Sequence, residues 1–313
     1  MVTARLTVLL TVALVLPACS EGGGESQRTT STTVESATER TDLPGWPSAV
    51  AVGAGSVWVA DDGRDVIVRL DEETGEIEGE PISVGPEPVA LDHDGTQLFV
   101  AHATGRITIV TEAGVIGAPL ELGGALSDVV AGDGAVWVAD IEGSAVHRID
   151  VDRRAVDRRI SVPQGAVRLA LASDRLWVSN LEATVTAVDL ASGAVSEPVP
   201  VGVAPIGIAV TSTALWVANS EDDTVTRLHP SRSGPIGAPI AVGSAPIAVI
   251  ADGDRIWVVN QDGESVTVLD GRRGASSGEA VDVGLRPRGA AVSRRGLWIV
   301  GVEPSGVVLV RRP

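Results

Sequence analysis

The sequence predicts an all-β fold, a seven-bladed β-propeller of four-stranded antiparallel blades closed by an N-terminal strand. Three observations predict it. An aromatic residue followed by Val or Ile recurs at Trp58, Phe99, Trp137, Trp177, Trp216, Trp257 and Trp298, at spacings of 41, 38, 40, 39, 41 and 41. Seven units near this length match a four-stranded blade. Seven Trp stand against one Phe and no Tyr, so Trp holds a repeated structural position, with Trp46 alone outside the register. Finally, short β-branched runs alternate with clusters of Gly, Pro, Asp, Asn and Ser, the signals of strands and turns, and no segment of the folded region carries a helical apolar period.

The fifth unit shows the internal order best. Its four runs are Pro205–Val210, Ala214–Asn219, Thr224–Leu228 and Pro239–Gly243. The first two are apolar almost throughout, as inner strands covered by neighbouring blades must be. In the third, Thr224 and Thr226 alternate with Val225, as expected nearer a rim. Trp on the second strand is expected to fill the wedge between blades. The seventh unit supplies runs at 289–292, 297–301 and 307–310 but no fourth. Residues 39–43 precede Pro47 much as Pro239–Val242 precede Pro246, so they are expected to pair with blade seven as its outer strand. That pairing would remove an open edge.

Ahead of the ring, residues 1–18 read as a signal peptide. Arg5 is its positive region, and Leu6–Leu16 is an apolar run too short to span a bilayer. Leu16-Pro17-Ala18-Cys19 resembles the bacterial lipobox, in which the Cys thiol accepts a diacylglycerol; Cys19 is the one Cys of the chain. Residues 19–38 then form a lipid-anchored tether, too poor in apolar side chains to offset the entropy of ordering. The implied location is the extracytoplasmic side of the cell membrane, with the membrane itself as a partner through the anchor. The propeller domain spans 39–313.

Composition excludes several activities. The charge is 24 − 41 = −17, and all 24 basic residues are Arg, which disfavours nucleic acid as a partner. One Cys excludes a disulfide framework and a CxxC redox pair. Without Lys there is no P-loop or Schiff-base lysine, and no Gly-x-Ser-x-Gly elbow occurs. No catalytic residue and no cofactor are expected. The spacing Asn260-x-Asp262-Gly263-Glu264 faintly resembles a Ca²⁺ loop but lacks the distal Glu, so no metal is expected either. A monomer is expected.

The recurring pattern P-x-x-(I/V)-A-V, then (L/V)-W-V-A-(N/D), then T-V-x-x-(L/V/I)-D, then P-I-x-V-G resembles the YVTN-type β-propeller repeat over residues 47–313. It is also similar in cadence to the streptogramin lyases. Departures cluster in blades two and three, where Phe99 replaces Trp and Leu126-Ser127-Asp128 replaces the Pro motif. The resemblance implies the fold strongly and the function weakly, because propellers host many roles. The lyases look to work with a His base and Mg²⁺. Here His93, His102, His147 and His229 fall in different registers of three different blades, so that constellation cannot be placed. The expectation is a binding or scaffolding module; the alternatives are a lyase-type enzyme acting on a small ligand over the channel, and a sensor or accessory domain of a membrane transporter or cell-wall machine.

Candidate binding residues come from two columns of the repeat. One follows Trp-Val-x and holds Asp61, His102, Asp140, Asn180, Asn219 and Asn260. Asp and Asn there also serve to start the loop between second and third strands. Those loops are crowded with further carboxylates, which would focus a negative field on one face. The other column lies where the chain enters each first strand. It holds Asp128 and Arg168, in one register of adjacent blades, and Arg288 in blade seven. Asp128 and Arg168 are expected to form an ion pair near the channel mouth; the functional reading of the three is a polar clamp for an unidentified protein or small-molecule partner. The opposite face, built from short loops such as Gly53-Ala-Gly55, is expected to offer little chemistry.

Overall fold

In the computed structural model, which describes residues 38–132, 134–231 and 234–312, the chain forms seven antiparallel sheets and no helix. The segments expected to be the signal peptide and, apart from residue 38, the tether lie outside the described residues. Each sheet is a meander whose first strand lies innermost. Blade one runs Pro47–Gly53, Ser56–Asp61, Val66–Asp71 and Ile77–Ser83. Inner strands of successive blades pack on one another around an axis, and the inner strand of blade seven, Arg286–Val292, packs on that of blade one.

The ring closes as the sequence predicts, one residue earlier. Thr38–Asp42 is the outer strand of blade seven, with Thr38 opposite Val310 and Asp42 opposite Gly306. The outer strands of blades one and three are longer, Ile77–Ser83 and Ala155–Ser161, whereas others are short. In blade five the ladder is only Ile240–Ala241, and in blade six the edge is broken into Ala275–Ser276 and Val281–Asp282. The short, interrupted edges of blades five and six leave little backbone for another chain to pair with.

The core is divided as the ring is. Among the described residues it forms seven clusters, one per interface between blades, and each contains one aromatic of the repeat. Trp58 packs among Ala49, Ala60, Leu91 and Leu98, joining blades one and two. Trp298 packs with Val50, Val57 and Leu70, joining seven to one. Phe99 does the same work between blades two and three. All seven are buried. The indole nitrogens differ: Trp58 donates to the Gly53 carbonyl and Trp298 to the Ser293 hydroxyl, both at 3.1 Å, whereas those of Trp177 and Trp216 have no partner. Four indoles also carry a guanidinium, Arg69 over Trp58, Arg148 over Trp137, Arg227 over Trp216 and Arg255 over Trp257, at 5.1–5.8 Å.

Every first strand carries a β-bulge at its start. Pro47 pairs with Asp61 and Ala49 with Ala60, so Ser48 is the extra residue; Ser127 and Arg288 are its counterparts in blades three and seven. A bulge of this kind re-aims a side chain at a sheet rim. Here the rim surrounds the axis.

Candidate functional site

The column after Trp-Val-x does not form an open working surface. Asp61, His102, Asp140, Asn180, Asn219 and Asn260 are all buried, at most 4% exposed, and their side chains are engaged within the fold. Asn219 is the fullest case. Its Oδ1 accepts the Gly202 N–H at 3.1 Å, while its Nδ2 donates to Thr224 Oγ1 at 3.0 Å and Thr226 Oγ1 at 2.9 Å. One side chain thus ties the loop entering blade five to the turn and third strand of that blade. Asp61 accepts from the Trp46 N–H at 2.9 Å, and Asp140 from the Gly143 N–H at 2.8 Å. The approach leaves no room for a Cβ at Gly45, Gly124 or Gly202, where one would meet these side chains at 2.0–2.5 Å; Gly45 and Gly124 also adopt positive φ. In blade seven the position is Gly301, where a Cβ would strike the Arg286 carbonyl.

Chemistry gathers instead on the axis. A cavity of about 170 Å³ opens where the chain enters the first strands, lined by Ser48, Asp128, Arg168 and Arg288 among Val, Ile, Leu, Ala and Gly. A second, of about 330 Å³, continues along the axis past Asp128 to Asp92. Arg288, on the bulge of blade seven, is exposed and makes no hydrogen bond or ion pair. The expected ion pair between Asp128 and Arg168 is not formed. Arg168 donates to the Ser127 carbonyl, and Asp128 accepts the Leu169 N–H at 2.8 Å, so each side chain binds the other strand's backbone. Bulge serines reinforce the rim, Ser48 donating to Pro88 O at 2.7 Å and Ser127 to Ala166 O at 2.9 Å.

The deeper carboxylate, Asp92, directly follows the apolar run Pro88–Leu91 in the first strand of blade two, Pro88–His93. It accepts the Ala131 N–H at 2.7 Å and the His93 N–H at 2.9 Å. Burial pushes its carboxyl up to about 6; the two N–H donors oppose this, and the Asp128 charge adds to it. Burial likewise raises Asp128, against the charge of Arg168 and the N–H groups it accepts. Neither carboxylate has a cation within ion-pair distance. The channel is therefore cationic at its mouth and anionic within.

The histidines do not converge. His102 is buried, its Nδ1 2.8 Å from Pro86 O and its Nε2 2.9 Å from Thr108 Oγ1; a carbonyl can only accept, so Nδ1 carries the proton. Burial, helped by Arg106, holds its pKa down against the pull of that carbonyl. His147 is buried 3.5 Å from Asp140. His93 stacks on Trp58 at 5.9 Å and is also held below the ordinary histidine value by burial. His229 directly follows the third strand of blade five, Thr224–Leu228, on the face opposite the channel mouth. Among the described residues no group of three or more His, Cys, Asp or Glu is placed to hold a metal.

Around the mouth stand the loops between second and third strands. Glu142, Glu182, Glu221 and Glu303 are exposed there without an ion pair, and Asp262 pairs with Arg286 at 2.8 Å. Trp46 is 61% exposed on the same face, lying over Gly63. The opposite face is richer than the sequence suggests. Its loops between third and fourth strands carry Arg153, Arg272 and Arg273, all more than 75% exposed, and its hairpin in blade seven carries Arg294.

No protein-family model and no curated protein matches the chain. Among solved structures, a catalytically inactive histidine-to-alanine variant of virginiamycin B lyase from Staphylococcus aureus with quinupristin is similar at 18% identity and a TM-score of 0.75, over 88% of this chain and 99% of that one. A streptogramin B lyase is similar at 16% identity and a TM-score of 0.74, over 88% and 97%. Hydrazine synthase of Kuenenia stuttgartiensis is similar at 17% and 0.74, over 91% and 99%. The likeness is one of fold. Proteins so different in name share it, and the chain's own side chains must indicate its use.

Proposed function

We propose that the protein is a lipid-anchored, extracytoplasmic binding module that recognises its ligand or partner at the channel mouth. The observation that carries this reading is Arg288, a cation displayed on a bulge at the mouth without a partner, facing a cavity that also presents Arg168 and Asp128. A guanidinium with its donors unused is built for carboxylate or phosphate recognition. The surrounding acidic loops would tune encounter and salt dependence, while the axial groups would set dissociation. Signal peptide over 1–18, acylation of Cys19 and a tether to residue 38 belong to the same proposal. The buried column from Asp61 to Asn260 serves it by fixing the loops and contributes no contact of its own.

A lyase-type enzyme is the second reading, favoured by the fold shared with the streptogramin and virginiamycin B lyases. A virginiamycin B lyase is inactive as a histidine-to-alanine variant, and in this chain no histidine lines the channel mouth. Recognition without turnover is the better fit.

The test is capture from membranes with the anchored full chain. Arg168→Ala plus Arg288→Ala should abolish capture of whatever the native chain retains, and Arg272→Ala plus Arg273→Ala on the opposite face should not. Loss only in the opposite-face variant would contradict the assignment. Turnover of a virginiamycin-type substrate, abolished by a histidine substitution, would replace binding with catalysis.

A further inference from the structure

We infer that the axial channel takes a small zwitterion, an organic molecule with a carboxylate at one end and an ammonium group at the other, inserted ammonium first. The inference rests on the channel mouth being the binding site and names the class of ligand it accepts. The order of charges along the axis carries it. Arg288 stands one residue past Pro287 and Arg168 two past Ala166, the equivalent positions of their first strands, at the mouth. Asp128 is level with Arg168, and Asp92 lies two residues deeper. At roughly 3.3 Å per strand residue, Asp92 is about 10 Å below Arg288.

Both carboxylates are partly buried on the channel wall, and their hydrogen-bond partners are backbone N–H groups alone. A partly buried anion without a counterion leaves unused attraction for a cation that can reach it. An ammonium has three donors, matching the acceptor capacity left at Asp128 and Asp92. The walls between the charges are Val50, Leu91, Val129, Leu169 and Ala290, which suit a methylene chain. A carboxylate left at the rim then meets the idle guanidinium of Arg288. A plain anion would be attracted by the mouth but repelled from within, and a plain amine the reverse.

The experiment is titration calorimetry on the full chain in detergent. The probes are glycine, β-alanine, γ-aminobutyrate and ε-aminocaproate, with caproate and hexylammonium as single-charge controls. Affinity should rise along the series as the ammonium reaches the inner carboxylates. Both controls should bind about tenfold or more weakly than ε-aminocaproate. Asp128→Asn and Arg288→Ala should each weaken ε-aminocaproate by a similar factor, with tryptophan fluorescence confirming the fold, and Arg294→Ala on the opposite face should not. Binding should also weaken as pH falls from 7 to 5, where Asp92 takes up a proton. Caproate binding as tightly as ε-aminocaproate, and lost in Arg288→Ala, would overturn the zwitterion while keeping the mouth as a site. Hexylammonium binding equally would overturn it too, as would no heat from any probe. Capture from membranes that still depends on Arg168 and Arg288 in that last case would preserve the binding-module reading.

Discussion

Glu39 and Arg295, 256 positions apart in the chain, form an ion pair at 2.8 Å. Arg311 joins them, 2.5 Å from the same carboxylate. Glu39 lies in the N-terminal strand, Arg295 in the hairpin of blade seven and Arg311 at the end of its third strand. The pair therefore sits on the seam that closes the ring.

Removing that seam should cost stability. A chain deleted from residue 20 through 42 loses the whole outer strand of blade seven, whereas deletion of 20–36 spares it. The longer deletion should lower the melting temperature by several degrees, as loss of a few kcal/mol does in a domain of this size. Equal melting temperatures in thermal scans would contradict closure by this strand. Glu39→Gln should cost only about 0.5–1 kcal/mol, because the pair is partly exposed. Burial works to raise the Glu39 pKa, but Arg311 and Arg295 hold it below the ordinary value. A depressed carboxylate contributes stability above its unfolded pKa and loses it as pH falls through the folded one. The mutant's deficit should therefore vanish in strong acid.

The indoles separate packing from hydrogen bonding. Trp298→Phe and Trp177→Phe remove similar volume from similar interfaces, but only Trp298 gives up a bond, to Ser293. Trp298→Phe should be the more destabilising by roughly 0.5–1.5 kcal/mol, read from urea unfolding midpoints. Equal losses would mean that the indole nitrogen contributes nothing.

Asn219→Ala should cost about 2–4 kcal/mol, because it leaves the Gly202 N–H and two threonine hydroxyls without a buried partner. Glu221→Ala, two residues on and exposed, should stay within about 0.5 kcal/mol. Chemical denaturation of the two variants separates a brace from a surface charge.

Much of the fold was legible in the sequence because a propeller repeats its constraint. Each interface needs one large side chain on the second strand, and the spacing from Trp58 to Trp298 records seven such needs. Outer strands were harder to read: Ile240–Ala241 is far shorter than its β-branched run, since an edge needs little pairing once the inner three strands are packed. The site was legible in part. Asp128, Arg168 and Arg288 share a rim that their register already placed near the axis. Asp92 went unread, although a carboxylate continuing the apolar run Pro88–Leu91 was itself a signal. The column from Asp61 to Asn260 proved buried, and its signal was ambiguous from the start, because residues that brace turns and residues that bind ligands draw on the same polar types. Arg69, Arg148 and Arg227 were also missed, since only strand pairing brings them over their indoles.

The axial carboxylate and the histidines should give opposed pH dependences. Asp92, raised to about 6, holds a proton in the folded state that the unfolded chain releases near 4. Its burial therefore costs nothing in acid, and the cost grows as pH rises from about 4 to 6. His93 and His102, both lowered, are favoured neutral, so their contribution is complete above about 6.5 and declines as pH falls below it. Asp92→Asn gives up one of the two accepted N–H bonds at every pH, so the test is the difference. Relative to that variant, the native chain should lose about 1–2 kcal/mol between about pH 4 and pH 7.5. A carbon-13 NMR titration of the aspartate carboxyls checks the cause, and a midpoint near 4 for Asp92 would remove it.

The central claim is that this propeller recognises its partner at the channel mouth. Photo-crosslinking in intact cells tests it most directly, with a photoreactive amino acid placed in turn at position 288 on the rim and at position 272 on the opposite face of the anchored chain. The account predicts adducts from position 288 that disappear when Arg168→Ala is added, and none from position 272. Adducts from position 272 alone would contradict it.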